Sequence, residues 1–115
     1  MSRLYDILDA MAPEIEQSGN SGSLQIGNVL LQWGQVSAIA DAGTYTDTSE
    51  TFPTSYSVAP AVFLTTYSAS TAAAFASVEI CLSGVTASGF TIRAFNEGTT
   101  GRSPAVRWLA IGEVA

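Results

Sequence analysis

At 115 residues the chain has room for one domain, and only 12% of those residues are charged against 47% hydrophobic. That charged fraction is about half of the roughly 25% found in soluble domains, and Ser, Thr, Gly and Ala fill the difference, a composition that suits β-structure and shared subunit interfaces. The net charge of −6 disfavours nucleic acid and anionic membrane surfaces as partners, and no apolar run approaches the ~20 residues with which a helix spans a bilayer.

Residues 1–17 carry the one helical pattern and are assigned to an N-terminal assembly helix. Leu4, Leu8, Met11 and Ile15 follow the 4-3-4 spacing of a coiled-coil seam, and Ser2 can cap its start. Pro13 lies on the outward side of that register, but it lacks an N–H and clashes with the carbonyl of Asp9. A helix over 2–11 followed by a second turn from Pro13 is therefore an alternative, with Glu14 and Glu16 suited to the new N-terminus. Two heptads do not hold together unaided. The narrow stripe points to a short stalk shared among copies of the chain; the other reading is a terminal helix packed on its own domain. Charges within the stripe and the lack of a continuous apolar h-region argue against a signal peptide, so synthesis in the cytoplasm is expected.

Ser18-Gly19-Asn20-Ser21-Gly22-Ser23 is small and polar throughout and reads as a flexible linker over 18–23. From residue 24 to 115 the period changes to two. Leu24–Ile26 and Val29–Trp33 read as strands of a hairpin turning at Gly27-Asn28. Gly34 suggests a turn or bulge, Val36–Ala42 can continue a strand, and Gly43–Glu50, rich in Thr, Gly and Asp, reads as a loop or edge strand. Phe52-Pro53 begins a new unit, and Val62–Tyr67 is a strand of high β-propensity. Ser68–Ala74 reads as a loop. In Phe75–Leu82 the residues Ala76, Val78, Ile80 and Leu82 share one face and Phe75, Ser77, Glu79 and Cys81 the other. A turn over 84–89, a strand over Phe90–Phe95 and a loop over Asn96–Pro104 follow. Ala105–Gly112 is apolar on most positions of both faces, which places it inside a sheet with packing on each side, paired between earlier strands. Six to eight short strands separated by turn signals predict an all-β antiparallel sandwich behind the short helix. Trp33 and Trp108, each beside a glycine or within an apolar strand, are expected in its core.

Chemistry is sparse. The chain has no histidine, which removes the commonest general base and most zinc sites. Cys81, the only cysteine, can form no intrachain disulfide and reads as a small buried hydrophobe rather than a nucleophile. The glycines of Gly98-Thr99-Thr100-Gly101 lack the lysine and helix of a phosphate loop. No catalytic residue, metal or cofactor is expected, and the chain is not expected to be an enzyme. Tyrosines beside predicted loops offer a rigid apolar face with a polar tip, which suits contact surfaces.

Three segments in order resemble the C-terminal domain of tailed-bacteriophage tail fibres: Gly27-Asn28-Val29-Leu30-Leu31-Gln32-Trp33-Gly34; Phe52-Pro53 with Ser57-Val58-Ala59-Pro60-Ala61-Val62; and Gly89-Phe90-Thr91-Ile92 with Trp108-Leu109-Ala110-Ile111-Gly112. The second half is also similar to the H-type lectin domain, a six-stranded sandwich assembled as trimers. Arg3-Leu4-Tyr5-Asp6-Ile7-Leu8 looks like the start of small prophage-encoded tail-region proteins. The resemblance implies a homotrimeric virion-tail module that binds a host-surface glycan or protein and attaches to other phage tail proteins. The lectin sugar site, built on an arginine before the Gly-Phe turn and a Trp-His pair after it, does not carry over. The matching positions here hold Cys81 and Asn96-Glu97-Gly98.

Two functions follow as expectations: a receptor-binding tip, or a structural protein of the tail or baseplate with no ligand of its own. For the first, the contact surface is expected on loops held by a rigid sandwich. Its candidate residues are Tyr45 and Tyr56 for stacking, Asp47, Asn96 and Glu97 for directional hydrogen bonds, and Arg102 as a clamp on an acidic group.

Overall fold

In a computed structural model the chain is described at residues 15–67 and 78–114. Among these residues there are eight strands and no helix: β1 (Ile15–Ser18), β2 (Ser21–Ile26), β3 (Val29–Ser37), β4 (Tyr45–Thr51), β5 (Ala61–Tyr67), β6 (Val78–Val85), β7 (Gly89–Asn96) and β8 (Ala105–Glu113). They form a five-stranded sheet in the order β1-β2-β3-β8-β5 and a three-stranded sheet in the order β4-β7-β6. All named pairings are antiparallel. The all-β sandwich expected from the turn spacing is what forms.

The N-terminal expectation changes where the two meet. Leu4, Leu8 and Met11 lie outside the described residues, as does the loop expected at 68–74. Ile15, assigned to the same helical seam, lies in β1 and pairs with Leu24. Residues 18–23, read as a flexible joint, instead make a hairpin: Ser18 pairs with Ser21, and Gly19 turns the chain with a φ of 61°. Small polar residues favour a linker and a tight turn alike, and the strand following Pro13 decides between them. The second hairpin is as read, with Ile26 opposite Val29 and Gly27 in the left-handed region.

β8 sits at the centre of the large sheet, with β3 on one side and β5 on the other. Its inward residues Val106, Trp108 and Ala110 are buried. The core lies between the two sheets. Phe52, Tyr56, Phe90 and Trp108 meet there with ring centroids 5.1–5.8 Å apart, most in the edge or tilted arrangements that aromatic quadrupoles prefer. Ile92, Leu30 and Val106 complete it.

Gln32 is a buried polar residue on the inward face of β3. Its Nε2 donates to the Thr54 carbonyl at 2.8 Å and its Oε1 accepts the Thr54 N–H at 2.9 Å. The amide thus completes the backbone pairing of the segment between β4 and β5 and satisfies its own burial. That segment carries Phe52 and Tyr56 into the core.

Three local expectations are corrected. β3 runs through Gly34 without a turn or bulge and ends at Ser37. Trp33 points to the outer face and is only half-buried, so of the two tryptophans Trp108 alone is a core residue. The outer face of β8 is not covered: Leu109 and Ile111 are 37% and 38% exposed.

Candidate functional site

The outer face of the three-stranded sheet gathers the polar side chains. β4 is its edge strand and β7 its centre. The inward Thr46 and Thr48 hold the preceding segment, their hydroxyls accepting the N–H groups of Asp41 and Ile39. This leaves Tyr45, Asp47 and Ser49 facing outward. The register then sets Tyr45 opposite Phe95, Asp47 opposite Arg93 and Ser49 opposite Thr91. From β6, Glu79 stands beside Phe95 and Cys81 beside Arg93; both are exposed.

Arg93 donates from Nε to Asp47 Oδ1 at 2.8 Å and from Nη2 to Oδ2 at 3.1 Å, a two-pronged ion pair. Its guanidinium carbon also lies 4.6 Å from the centre of the Tyr45 ring, within cation–π range. The hydrogen bond and charge of Arg93 hold the Asp47 carboxyl below its ordinary value, and Asp47 raises Arg93. The pair is therefore ionised throughout the neutral range, and is lost only as pH falls through the lowered Asp47 value.

The six residues expected to contact a ligand separate. Tyr45 and Asp47 come together, on a sheet face and not in a loop. Glu97 is exposed in the loop after β7. Arg102 pairs through its backbone with Ala40, and its half-buried side chain keeps a buried Nε without a hydrogen bond. Asn96 is fully buried: Nδ2 donates to the carbonyls of Ala40 and Thr100, and Oδ1 accepts the Gly98 N–H. Tyr56 is 4% exposed, its hydroxyl donating to the Ala110 carbonyl. Asn96 and Tyr56 thus brace the fold from within and offer no surface to a ligand. In sequence, a polar tip beside a loop looks the same whether it turns in or out.

Arg93 is the residue that reasoning from sequence missed. Alternation along β7 could have turned it outward, since Phe90, Ile92 and Ala94 are apolar. Its partner, 46 residues away, was set by a pairing that no local signal carries.

The second surface is apolar. On the outer face of the five-stranded sheet, Leu24, Leu31, Ile111 and Ala61 form one row across four strands, and Trp33, Leu109 and Phe63 the next. Phe63 is 59% exposed. Arg107 bounds the patch, reaching Gln35 and Asn20 at 3.4 Å.

The two-sheet sandwich therefore carries one outer face that gathers polar and charged side chains and one that gathers apolar ones. The chain belongs to the family described as "Putative tail fiber protein gp53-like, C-terminal", whose model matches residues 24–113. Among solved structures, an N-truncated R1-type pyocin tail fibre is similar over 96% of this chain and 94% of its own, with a TM-score of 0.71 and 21% identity. The R1 pyocin fibre of P. aeruginosa is similar over 84% of this chain, with a TM-score of 0.68 and 21% identity. This chain covers 27% of that fibre's length. The R2 pyocin fibre of P. aeruginosa matches at 23% identity and a TM-score of 0.61, over 84% of this chain and 25% of its own. No curated protein sequence matches the chain. The likeness to these structures is one of fold, and it agrees with the tail-fibre resemblance carried by the Gln32-Trp33-Gly34 and Trp108–Gly112 segments.

Proposed function

We propose that the chain is the homotrimeric tip of a phage tail fibre, contacting a glycan or protein of the host-cell surface and joined to other tail proteins. Membership of the tail-fibre family supports the place in the virion tail. The observation that carries the trimer is the apolar outer face of the five-stranded sheet. Leu109, Ile111 and Phe63 stand exposed together, in a chain too poor in charge to keep such a patch in water at no cost. Packing these faces around a threefold axis buries them and turns the three-stranded sheets outward, toward the host. The role is binding and assembly, without catalysis.

Light scattering on the purified chain is expected to give three times its 11.9 kDa mass; a monomer at micromolar concentration would refute the trimer. Fluorescently labelled protein is expected to adsorb to cells of a susceptible strain. Failure to adsorb to any strain of a broad panel, with co-purification of tail proteins, would favour the purely structural role instead.

A further inference from the structure

Resting on the host-contact reading, we infer that Tyr45, Asp47 and Arg93 form a saccharide-binding site for a neutral, hydroxyl-rich hexose unit. Tyr45 and Phe95 face each other across β4 and β7 and are 59% and 38% exposed. Arg93 lies over one side of the Tyr45 ring, and the ring surface that stays exposed is the apolar area on which the C–H face of a pyranose stacks. The ion pair stands two residues further along the same strands, and its Arg93 guanidinium carbon lies 4.6 Å from the centre of the Tyr45 ring. Rings and charges are thus contiguous, and a hexose resting on the aromatics has its hydroxyls at the charges.

The polar half is already held in place. The two-pronged contact fixes Arg93 and Asp47 relative to each other, so little ordering remains when a ligand arrives. Arg93 spends Nε and one Nη2 proton on Asp47, which leaves Nη1 and the other Nη2 proton to donate to a sugar oxygen. Each Asp47 oxygen retains acceptor capacity for a sugar hydroxyl. A donor and an acceptor side by side match the vicinal hydroxyls of a hexose.

Charge decides against an acidic sugar. Asp47 neutralises Arg93, Glu79 stands exposed on the same face, and the chain carries −6 overall. A carboxylated or phosphorylated ligand would meet net repulsion. A protein partner would require a wider apolar centre than two rings supply.

The test uses the full chain on an array of neutral hexose oligosaccharides and purified bacterial surface polysaccharides, beside adsorption to cells treated with periodate or with protease. Wild type is expected to bind the array, and to lose cell adsorption after periodate but not after protease. Tyr45→Ala and Arg93→Lys, which keeps the charge and loses the fork, are each expected to weaken binding at least about tenfold, or roughly 1.4 kcal/mol, with unchanged melting. A bulky maleimide on Cys81, next to Arg93, should block binding. Unchanged binding by folded Tyr45→Ala and Arg93→Lys overturns this site and leaves the host-contact reading standing. Adsorption that survives periodate and is lost after protease overturns the saccharide. Wild type that adsorbs to no cell removes the host-contact reading and the site with it.

Discussion

Trp108 lays its indole directly over Gly34, its partner across β3 and β8. A Cβ at Gly34 would stand 2.8 Å from Nε1 and 2.9 Å from two ring carbons of Trp108. The glycine is there to admit the ring, which in turn fixes Phe52 and Phe90 around it. Gly34→Ala is expected to destabilise the fold by about 1–3 kcal/mol, as overpacking of a filled core does. Trp108→Ala is expected to cost about 3–5 kcal/mol through the cavity it leaves. Denaturant titrations of both variants check this, and an unperturbed Gly34→Ala would mean that the ring can move aside.

Asn96 organises the loop between β7 and β8. Its side-chain amide bonds to Ala40, Thr100 and Gly98, so one side chain ties the loop to the chain leaving β3. Asn96→Ala would strand buried backbone groups, at an expected cost of about 1–3 kcal/mol. Glu97→Ala beside it should lie within about 0.5 kcal/mol of wild type, as surface changes do. Equal melting temperatures for the two variants would contradict the bracing role.

Burial pushes the Tyr56 hydroxyl above its ordinary value of 10.0, with Gln32 opposing in part. The folded protein therefore favours the neutral phenol. Its contribution is full below the unfolded value and is lost as pH rises through the raised folded value. Stability is expected to fall in the alkaline range above pH ~10. Tyr56→Phe should cost about 1 kcal/mol at neutral pH through the lost bond to Ala110, and should flatten that alkaline decline. Urea unfolding at a series of pH values separates the two effects.

The sandwich was legible because its signals are local. Alternation in 78–82 gave the inward Val78, Ile80 and Leu82, and Gly27-Asn28 gave a hairpin. The unbroken apolar run of β8 gave its central place. What failed was whatever depends on a distant partner. Ser18–Ser23 has the composition of a linker, yet the strands on either side pair and make it a turn. Tyr56 and Asn96 carry polar tips beside loops, and only the position of Ala110 or Ala40 shows that they point inward. For Tyr45 and Asp47 the sequence leaves loop and edge strand open, because a Thr-rich edge strand lacks the apolar content that marks a central one, and the structure takes the edge strand. Arg93 completes their cluster through a register spanning 46 residues.

The apolar rows on the outer face of the five-stranded sheet give the last prediction. Leu109 stands at the centre of that face, between Trp33 on β3 and Phe63 on β5, and its side chain takes no part in the core between the sheets. Leu109→Glu and Phe63→Glu should therefore leave the fold of one chain intact. In a trimer packed through this face, each substitution would bring three like charges together near the axis, with no partner for any of them. The desolvation of such charges is far costlier than the contact they replace. Each variant is expected to sediment as an 11.9 kDa monomer with a wild-type β circular dichroism spectrum. Asp47→Asn, on the opposite outer face, should keep the trimer. Trimers that survive both glutamate substitutions would move the subunit interface to another surface of the sandwich.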